Sequence, residues 1–182
     1  MSRIPIPATE QAPSAAQPLL ASAKKQLGTA PNLLRILANS PAALEAYLGL
    51  SGALANGDLD AATRERVALA VAEVNGCDYC LSAHTYRARE VAKLDDAEIT
   101  ANQSGASSDM KADAAIRFAA KLVRERGRVS EADFAAVKHA GYSDVEMVEI
   151  IAHVGLSLFS NMVNVALKTE IDFPRVDARK PD

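Results

Sequence analysis

The chain has 182 residues, of which 36 are alanine, eight are aromatic and 24% are charged. Its 20 basic and 23 acidic residues give a net charge of −3, so there is no basic excess for neutralising phosphates and we expect no nucleic-acid partner. Alanine leads the helix scale and is depleted in strands, which argues against an all-β sandwich. A chain of this length can bury roughly 70% of its unfolded surface, and we expect a single domain over residues 1–182.

Apolar residues recur at helical spacing from about residue 14 to residue 168. Before that region, residues 1–13 contain three prolines and no basic stretch followed by a long apolar run, so we expect a flexible arm and not a signal peptide. Capping residues, glycines and prolines then predict the helices of the first half. The first helix ends at Gly28, and the next two cover residues 32–38 and 41–56. A fourth runs from Asp60 to a break at Asn75-Gly76, and a fifth from about Cys77 to Lys93.

The second half carries the same signals. It predicts a short helix at residues 95–100, a polar linker at 103–108, a helix between Asp109 and Gly127, one from Ser130 to Ala140-Gly141, one from Ser143 to about Lys168, and a polar tail over 172–182. No segment shows sustained period-two alternation of apolar residues. We therefore predict an all-α fold, a compact bundle of eight or nine helices.

The apolar stretches and the number of cysteines indicate whether the chain spans a membrane and in which compartment it lies. The most apolar stretch, Val148–Phe159, is 12 residues long, whereas a bilayer span needs roughly 20, so no membrane segment is expected. Only two cysteines occur, at positions 77 and 80, which excludes a disulfide framework. We expect a cytoplasmic protein, and in that compartment a close cysteine pair indicates catalysis or metal binding.

The cysteine pair belongs to a longer pattern, which consists of Glu65, Cys77, Cys80 and His84. On a helix, positions 77, 80 and 84 lie on one face, and Cα atoms three residues apart are about 5 Å apart, within the range for a disulfide. The break at Asn75-Gly76 places the cysteines in the first helical turn, where free N–H groups and the helix dipole favour a thiolate.

The surroundings of the two thiols suggest different roles. Proximity to the helix dipole favours Cys77, but His84 lies one turn after Cys80 and can take its proton. We therefore assign Cys80 as the attacking thiol and Cys77 as the resolving thiol. If the break folds the two helices against each other, Glu65 can approach His84 and orient its ring, which would make a proton relay.

The run from Glu65 to His84, with AEVNGCDYC at residues 72–80 inside it, resembles the signature of the AhpD-like alkylhydroperoxidases. This group lies within the carboxymuconolactone decarboxylase superfamily, and the resemblance is to its peroxidase-related subgroup. Residues 60–93 carry the similarity. It implies an AhpD-like bundle with the Cys-x-x-Cys motif at a helix N-terminus and a hydroperoxide as substrate. The peroxidatic cysteine would be Cys80, the resolving cysteine Cys77, and the proton relay His84 and Glu65.

The same resemblance implies that no metal or organic cofactor is needed. An external dithiol, which in the prototype is a lipoyl group on a carrier protein, would re-reduce the disulfide. It also implies a homo-oligomer, a trimer or a hexamer. The best-known members have a histidine where this chain has Tyr79, and a phenol that titrates near pH 10 cannot carry protons at neutral pH as imidazole does.

Other interpretations of the same residues remain open. Two thiolates, His84 and Glu65 could ligate zinc in a structural site, and the pair could serve a helical thiol–disulfide oxidoreductase or redox sensor without peroxidase turnover. The cysteines could also be small buried hydrophobes. Tyr79 and Tyr86 are expected near the thiol pocket. In the last helix, His153 is expected to be a core histidine with its hydrogen bonds satisfied, and the helix's two asparagines, Asn161 and Asn164, to make inter-subunit or capping hydrogen bonds.

Overall fold

The computed structural model describes residues 1–179, in which helices, turns and extended connections occur and no strand is found. The all-α prediction is therefore confirmed. A short 3₁₀ turn at Thr9–Gln11 comes first. The helices are α1 (Gln17–Leu27), α2 (Asn32–Leu37), α3 (Pro41–Ala55), α4 (Ala61–Val74), α5 (Asp78–Glu90), α6 (Asp96–Gln103), α7 (Met110–Arg124), α8 (Glu131–His139) and α9 (Asp144–Leu167).

Side-chain caps start the helices where the sequence indicates. The Ser40 hydroxyl accepts from the Ala43 N–H at the start of α3, and Asp60 accepts from the Thr63 N–H at the start of α4. Ser130 and Ser143 each form a capping box at the start of α8 and α9. Each such cap satisfies a backbone donor that has no partner inside the helix.

Two helix limits differ from the prediction. Helix α5 ends at Glu90 and not at Lys93, because Lys93 takes a left-handed conformation (φ 56°) and the Leu94 N–H turns back to the Ala88 carbonyl at 2.9 Å. Helix α6 extends to Gln103, into the predicted linker. The Asn102 side chain stabilises this extension by donating to the Glu98 carboxylate at 2.9 Å.

Helix α4 lies in the middle of the bundle, with α5, α6, α7 and α9 packed against it. Leu69 faces one apolar cluster, and Val67 and Val71 face a second, and all three are fully buried. Burying side chains of this size contributes about 1.5–3 kcal/mol each. Because four helices hold α4, a side chain that it carries toward α5 has a fixed position.

Helix α9 is 24 residues long and by length and composition could cross a membrane, with an 18-residue window of mean hydropathy 1.6. The expectation that the longest apolar stretch is only 12 residues, too short to span a bilayer, is therefore wrong for α9. The helix packs against α2, α3, α4, α5 and α7, and it buries His153, Asn161 and Asn164. Such packing is typical of the core helix of a bundle.

Both ends of the described chain lie on the bundle. The Arg3 N–H donates to the Leu167 carbonyl at 2.8 Å, and Arg35 Nε donates to the Pro7 carbonyl at 2.9 Å, which differs from the flexible arm expected for residues 1–13. Residues 169–179, called here the C-terminal segment, run over the start of α5. The last three residues of the predicted tail lie outside the described residues. The single-domain assignment stays a prediction.

Candidate active site

The chain turns sharply between α4 and α5, as the Asn75-Gly76 pair predicts. Gly76 adopts φ +62°, a left-handed conformation that side chains disfavour, and Cys77 follows as the N-cap of α5. The Cys77 Sγ accepts the Cys80 N–H at 3.2 Å, so this sulfur stands where a serine or aspartate oxygen usually caps a helix. The cysteine pair therefore lies at a helix N-terminus.

Cys77 and Cys80 form a disulfide, with their Cα atoms 5.3 Å apart. This separation matches the about 5 Å expected for residues three apart on a helix. Both side chains are buried in the apolar cluster that contains Leu69 and Leu81. The backbone of the first turn of α5 therefore holds the two cysteines at a separation at which a disulfide forms.

The structure brings Glu65 and His84 together across the α4–α5 turn. His84 Nδ1 lies 2.7 Å from Glu65 Oε2. A carboxylate has only acceptors, so Nδ1 carries the proton and donates it, and Nε2 of the neutral ring is left as the acceptor. His84 is also one helical turn after Cys80 on α5.

An arginine also holds the Glu65 carboxylate. Arg87 Nη2 lies 2.8 Å from Glu65 Oε1, and the Glu65 residue is only 5% exposed. Burial alone would raise the pKa of this carboxyl, but His84, Arg87 and Arg64 outweigh it and hold the pKa of Glu65 below its ordinary value. Glu65 therefore stays charged at neutral pH and can orient the imidazole.

Helix α9 contributes a residue to which sequence reasoning gave no role at the thiols. Asn164 Nδ2 donates to Cys80 Sγ at 3.3 Å, and the residue is 3% exposed. One turn earlier, Asn161 Oδ1 accepts from Asn75 Nδ2 at 2.9 Å, at the break between α4 and α5. The signal in the sequence is two amides, three residues apart, in an otherwise apolar helix.

The Tyr79 hydroxyl is committed on both sides. It accepts the Leu33 N–H at 3.0 Å and donates to Asp172 Oδ1 at 2.8 Å. Burial, assisted by the Asp172 charge, raises the pKa of Tyr79 far above its ordinary value. The phenol that stands in the place of the prototype histidine therefore anchors the C-terminal segment to α5. It keeps its own proton at neutral pH and does not relay protons as an imidazole does.

A cavity of about 730 Å³ lies beside the disulfide and is bordered by the C-terminal segment. Its walls include Cys77, Tyr79, Asn164 and Phe173. Tyr86, expected at this pocket, is 45% exposed and packs its ring 5.8 Å from that of Phe173, on the outside of the cavity wall. Of the two cysteines, Cys77 is the one in this cavity wall, and with the disulfide formed both residues are buried, at 1% and 3% exposed.

Comparisons with known proteins place this motif in a family. The model of the carboxymuconolactone decarboxylase family matches residues 41–125, which contain α3 to α7 and the residues from Glu65 to His84. A solved structure named for the alkylhydroperoxidase AhpD core shares the fold over 94% of this chain. Residues 41–125 therefore match the carboxymuconolactone decarboxylase family, and the fold of the chain is AhpD-like.

Three solved structures illustrate the relationship of this AhpD-like chain to others. A peroxidase-related protein from Ralstonia eutropha JMP134 has a TM-score of 0.84 at 24% identity, covering 94% of this chain and 92% of that one. A peroxidase-related protein from Silicibacter sp. TM1040 has a TM-score of 0.81 at 25% identity, with coverages of 93% and 91%. The debrominase Bmp8 has a TM-score of 0.74 at 21% identity, with 87% of each chain covered. A shared fold leaves the reaction to be argued from the site.

Among curated proteins, an uncharacterized protein of Haemophilus influenzae is 51% identical over 49 residues. That stretch is 26% of this chain and spans 43% of the relative, less than half of its length.

The four residues considered for zinc form two separate couples in this AhpD-like chain. The cysteines bond to each other, and His84 pairs with Glu65. Within residues 1–179, no group of three or more histidine, cysteine, aspartate and glutamate side chains is placed to hold a metal ion. The geometry therefore gives the zinc interpretation no support.

His153 differs from the expected core histidine with satisfied hydrogen bonds. It is 9% exposed, and its Nε2 is buried without a hydrogen-bond partner among the described residues. Burial, assisted by Arg64 and opposed by Glu149, lowers the pKa of His153 to about 4. The imidazole is therefore neutral in the folded protein at physiological pH.

Proposed function

We propose that this chain is a thiol-dependent hydroperoxide reductase. Its dithiol would cycle through a Cys77–Cys80 disulfide, with Glu65 and His84 as the proton relay. The observation that carries the proposal is the 2.7 Å contact between Glu65 and His84, one helical turn from Cys80. A merely structural cysteine pair has no need of an oriented imidazole backed by a buried carboxylate.

The first step oxidises Cys80. His84 Nε2 takes the Cys80 proton, and the thiolate attacks the terminal oxygen of the hydroperoxide. The O–O bond breaks, the sulfur becomes a sulfenic acid, and the alkoxide leaves as an alcohol with the proton returned by His84. The Cys77 thiol then attacks the Cys80 sulfur, and the hydroxyl departs as water when the disulfide forms.

An external dithiol completes the cycle. Its thiolate attacks one sulfur of the disulfide and releases the other cysteine as a thiolate, and its second thiol then resolves the mixed disulfide. Because Cys77 lines the 730 Å³ cavity, we propose that attack occurs at the Cys77 sulfur. A lipoyl group on a carrier protein has the chemistry and the reach for this role, and no metal or organic cofactor takes part.

The experiment follows peroxide and thiols together. Fully reduced protein is mixed with cumene hydroperoxide, and we expect one peroxide consumed for every two thiols lost. Cys80→Ser should consume none above buffer, whereas Cys77→Ser should consume one equivalent and trap a sulfenic acid that dimedone labels. Glu65→Gln should slow the reaction. Glu90→Gln, at an exposed position on α5, is its control. Consumption by Cys80→Ser at the wild-type rate would exclude the assignment.

Assembly and location belong to the same proposal. Helix α9 exposes an apolar face that includes Val148, Ile151 and Met162, which is suited to a contact between copies of the chain. We propose a cytoplasmic homo-oligomer, a trimer or a hexamer. Light scattering of the eluting protein should give three or six times the 19.2 kDa of one chain, and a monomer would contradict it.

A second function is favoured by the position of Cys77 in the cavity wall. A cysteine in the wall of a cavity also suits a helical thiol–disulfide oxidoreductase that exchanges with protein disulfides. The two functions differ in the oxidant that reduced protein consumes faster. Faster oxidation by a protein disulfide than by hydroperoxide would favour the second function.

A further inference from the structure

The amide of Asn164 is placed in an unusual way. Its Nδ2 donates to Cys80 Sγ at 3.3 Å, while its Oδ1 is buried with no hydrogen-bond partner among the described residues. An amide placed to stabilise the fold would use its carbonyl oxygen, since a buried acceptor without a partner costs stability. The side chain's one hydrogen bond within residues 1–179 is the bond to sulfur.

The chemistry of sulfur gives this bond a direction. Sulfur in a thiolate or a disulfide has only lone pairs, so the amide must present its N–H, as it does here. When the Cys80 thiol loses its proton, the neutral bond becomes a charge-assisted one, which is shorter and stronger. The contact therefore favours the thiolate over the thiol.

The two sulfurs are served by different donors. Cys77 Sγ takes the backbone N–H of Cys80, whereas Cys80 Sγ takes the side-chain N–H of Asn164, 84 residues away on α9. We propose that Asn164 is a further catalytic residue, whose amide N–H stabilises Cys80 as a thiolate, both when it attacks an oxidant and when it leaves during reduction of the disulfide. The first of these roles rests on the proposed peroxide reduction.

Other charges act on the same thiol and must be held constant in any test. The titratable and charged groups on the elements packed around the pair include Arg64, Glu65 and Glu73 on α4, Asp78, Tyr79, His84 and Arg87 on α5, Glu149 and His153 on α9, Lys168 at its end, and Glu170, Asp172 and Arg175 in the C-terminal segment. Replacing Asn164 with leucine leaves all of them unchanged and keeps a similar side-chain volume.

The experiment measures thiolate formation directly. In the Cys77→Ser background only the Cys80 thiol remains, and its ultraviolet absorbance is followed against pH. Asn164→Leu should raise the midpoint of thiolate formation by about one pH unit, which means about tenfold less thiolate well below the midpoint. Asn164→Asp, of the same shape but with an acceptor-only charged group, should raise it further. In the two-cysteine protein, Asn164→Leu should also slow reduction of the disulfide by dithiothreitol.

Asn161→Leu is the matched control, because it removes a buried amide one turn earlier on α9 that bonds to Asn75 and not to sulfur. It should leave the midpoint in place. An unchanged midpoint in folded Asn164→Leu, or an equal shift in Asn161→Leu, would overturn the assignment; if Asn164→Leu does not fold, Asn164→Asp decides.

The outcomes also separate the two proposals. If Asn164→Leu shifts the midpoint but the two-cysteine protein consumes no hydroperoxide, the peroxidase function is refuted and the role of Asn164 in stabilising the thiolate is supported. If peroxide is consumed normally and the midpoint of Asn164→Leu is unchanged, only the role of Asn164 is refuted.

Discussion

Replacing His153 with leucine should make the free energy of unfolding fall less steeply below neutral pH than it does in the wild-type protein. His153 is buried on α9, and burial lowers its pKa in the folded state to about 4, against 6.5 for an exposed histidine. Below pH 6.5 the unfolded chain therefore binds a proton that the folded protein does not bind. Unfolding is favoured progressively as the pH falls, until the folded pKa is reached.

The magnitude follows from the two pKa values of His153. With 6.5 in the unfolded chain and about 4 in the folded protein, the linked loss of unfolding free energy is about 1.4 kcal/mol at pH 5.5 and about 2.5 kcal/mol at pH 4.5. A leucine at this position has no proton to bind and leaves no polar nitrogen unpartnered in the core. Relative to its value at neutral pH, the free energy of unfolding should therefore fall by these amounts less in the variant than in the wild type.

Urea unfolding at a series of pH values from 8 down to about 4.5 measures this difference. The wild-type and His153→Leu curves should diverge as the pH falls below 6.5. His139→Leu makes the same change at the exposed end of α8 and should keep the wild-type slope. Parallel curves for wild type and His153→Leu would refute the assigned pKa. His153→Leu is also useful in kinetic experiments. Because it should stay folded at lower pH, a loss of thiol reactivity in acid can be distinguished from unfolding.

Two further substitutions test buried polar contacts. Glu98→Gln should cost on the order of 2 kcal/mol at pH 7 and only about 0.4 kcal/mol at pH 2, because hydrogen bonds from neighbouring serines and Asn102 outweigh burial and hold the pKa of Glu98 at about 2. Urea unfolding at both pH values checks it. Tyr79→Phe should cost about 1–3 kcal/mol, since it leaves the buried Leu33 N–H unpartnered. It should also remove one of the two hydrogen bonds that hold Asp172, leaving that from the Asn32 N–H at 2.8 Å, and speed hydrogen exchange in the C-terminal segment. Unchanged exchange there would contradict the anchoring role.

Local signals predicted local structure well. Caps such as Ser130 and Ser143 act within three residues, and the spacing of Cys77 and Cys80 follows from helix geometry alone. The approach of Glu65 to His84 was predicted only on condition that the Asn75-Gly76 break folds the two helices together, which it does. Here the sequence separation is 19 residues and the turn is short.

Contacts between distant parts of the chain had no such signal. Asn164 meets Cys80 across 84 residues and Asp172 meets Tyr79 across 93, through tertiary packing that no periodicity encodes. Proline content suggested an arm at residues 1–13, but proline carbonyls are acceptors, and Arg35 uses that of Pro7. The limits of α9 were predicted well, but the length of its apolar stretch was underestimated, because polar residues interrupt an apolar run without interrupting a helix.

The asymmetry of the two sulfurs accounts for both halves of the proposed cycle. An external thiolate in the cavity meets Cys77, so the bond that breaks releases Cys80, and exchange is faster when the leaving thiolate is the better stabilised one. Asn164 and His84 supply that stabilisation. The same stabilisation makes Cys80 a somewhat weaker nucleophile, but the thiolate fraction at neutral pH rises more steeply than nucleophilicity falls until the thiol is mostly ionised. One set of contacts therefore suits Cys80 both to attack the peroxide and to leave the disulfide.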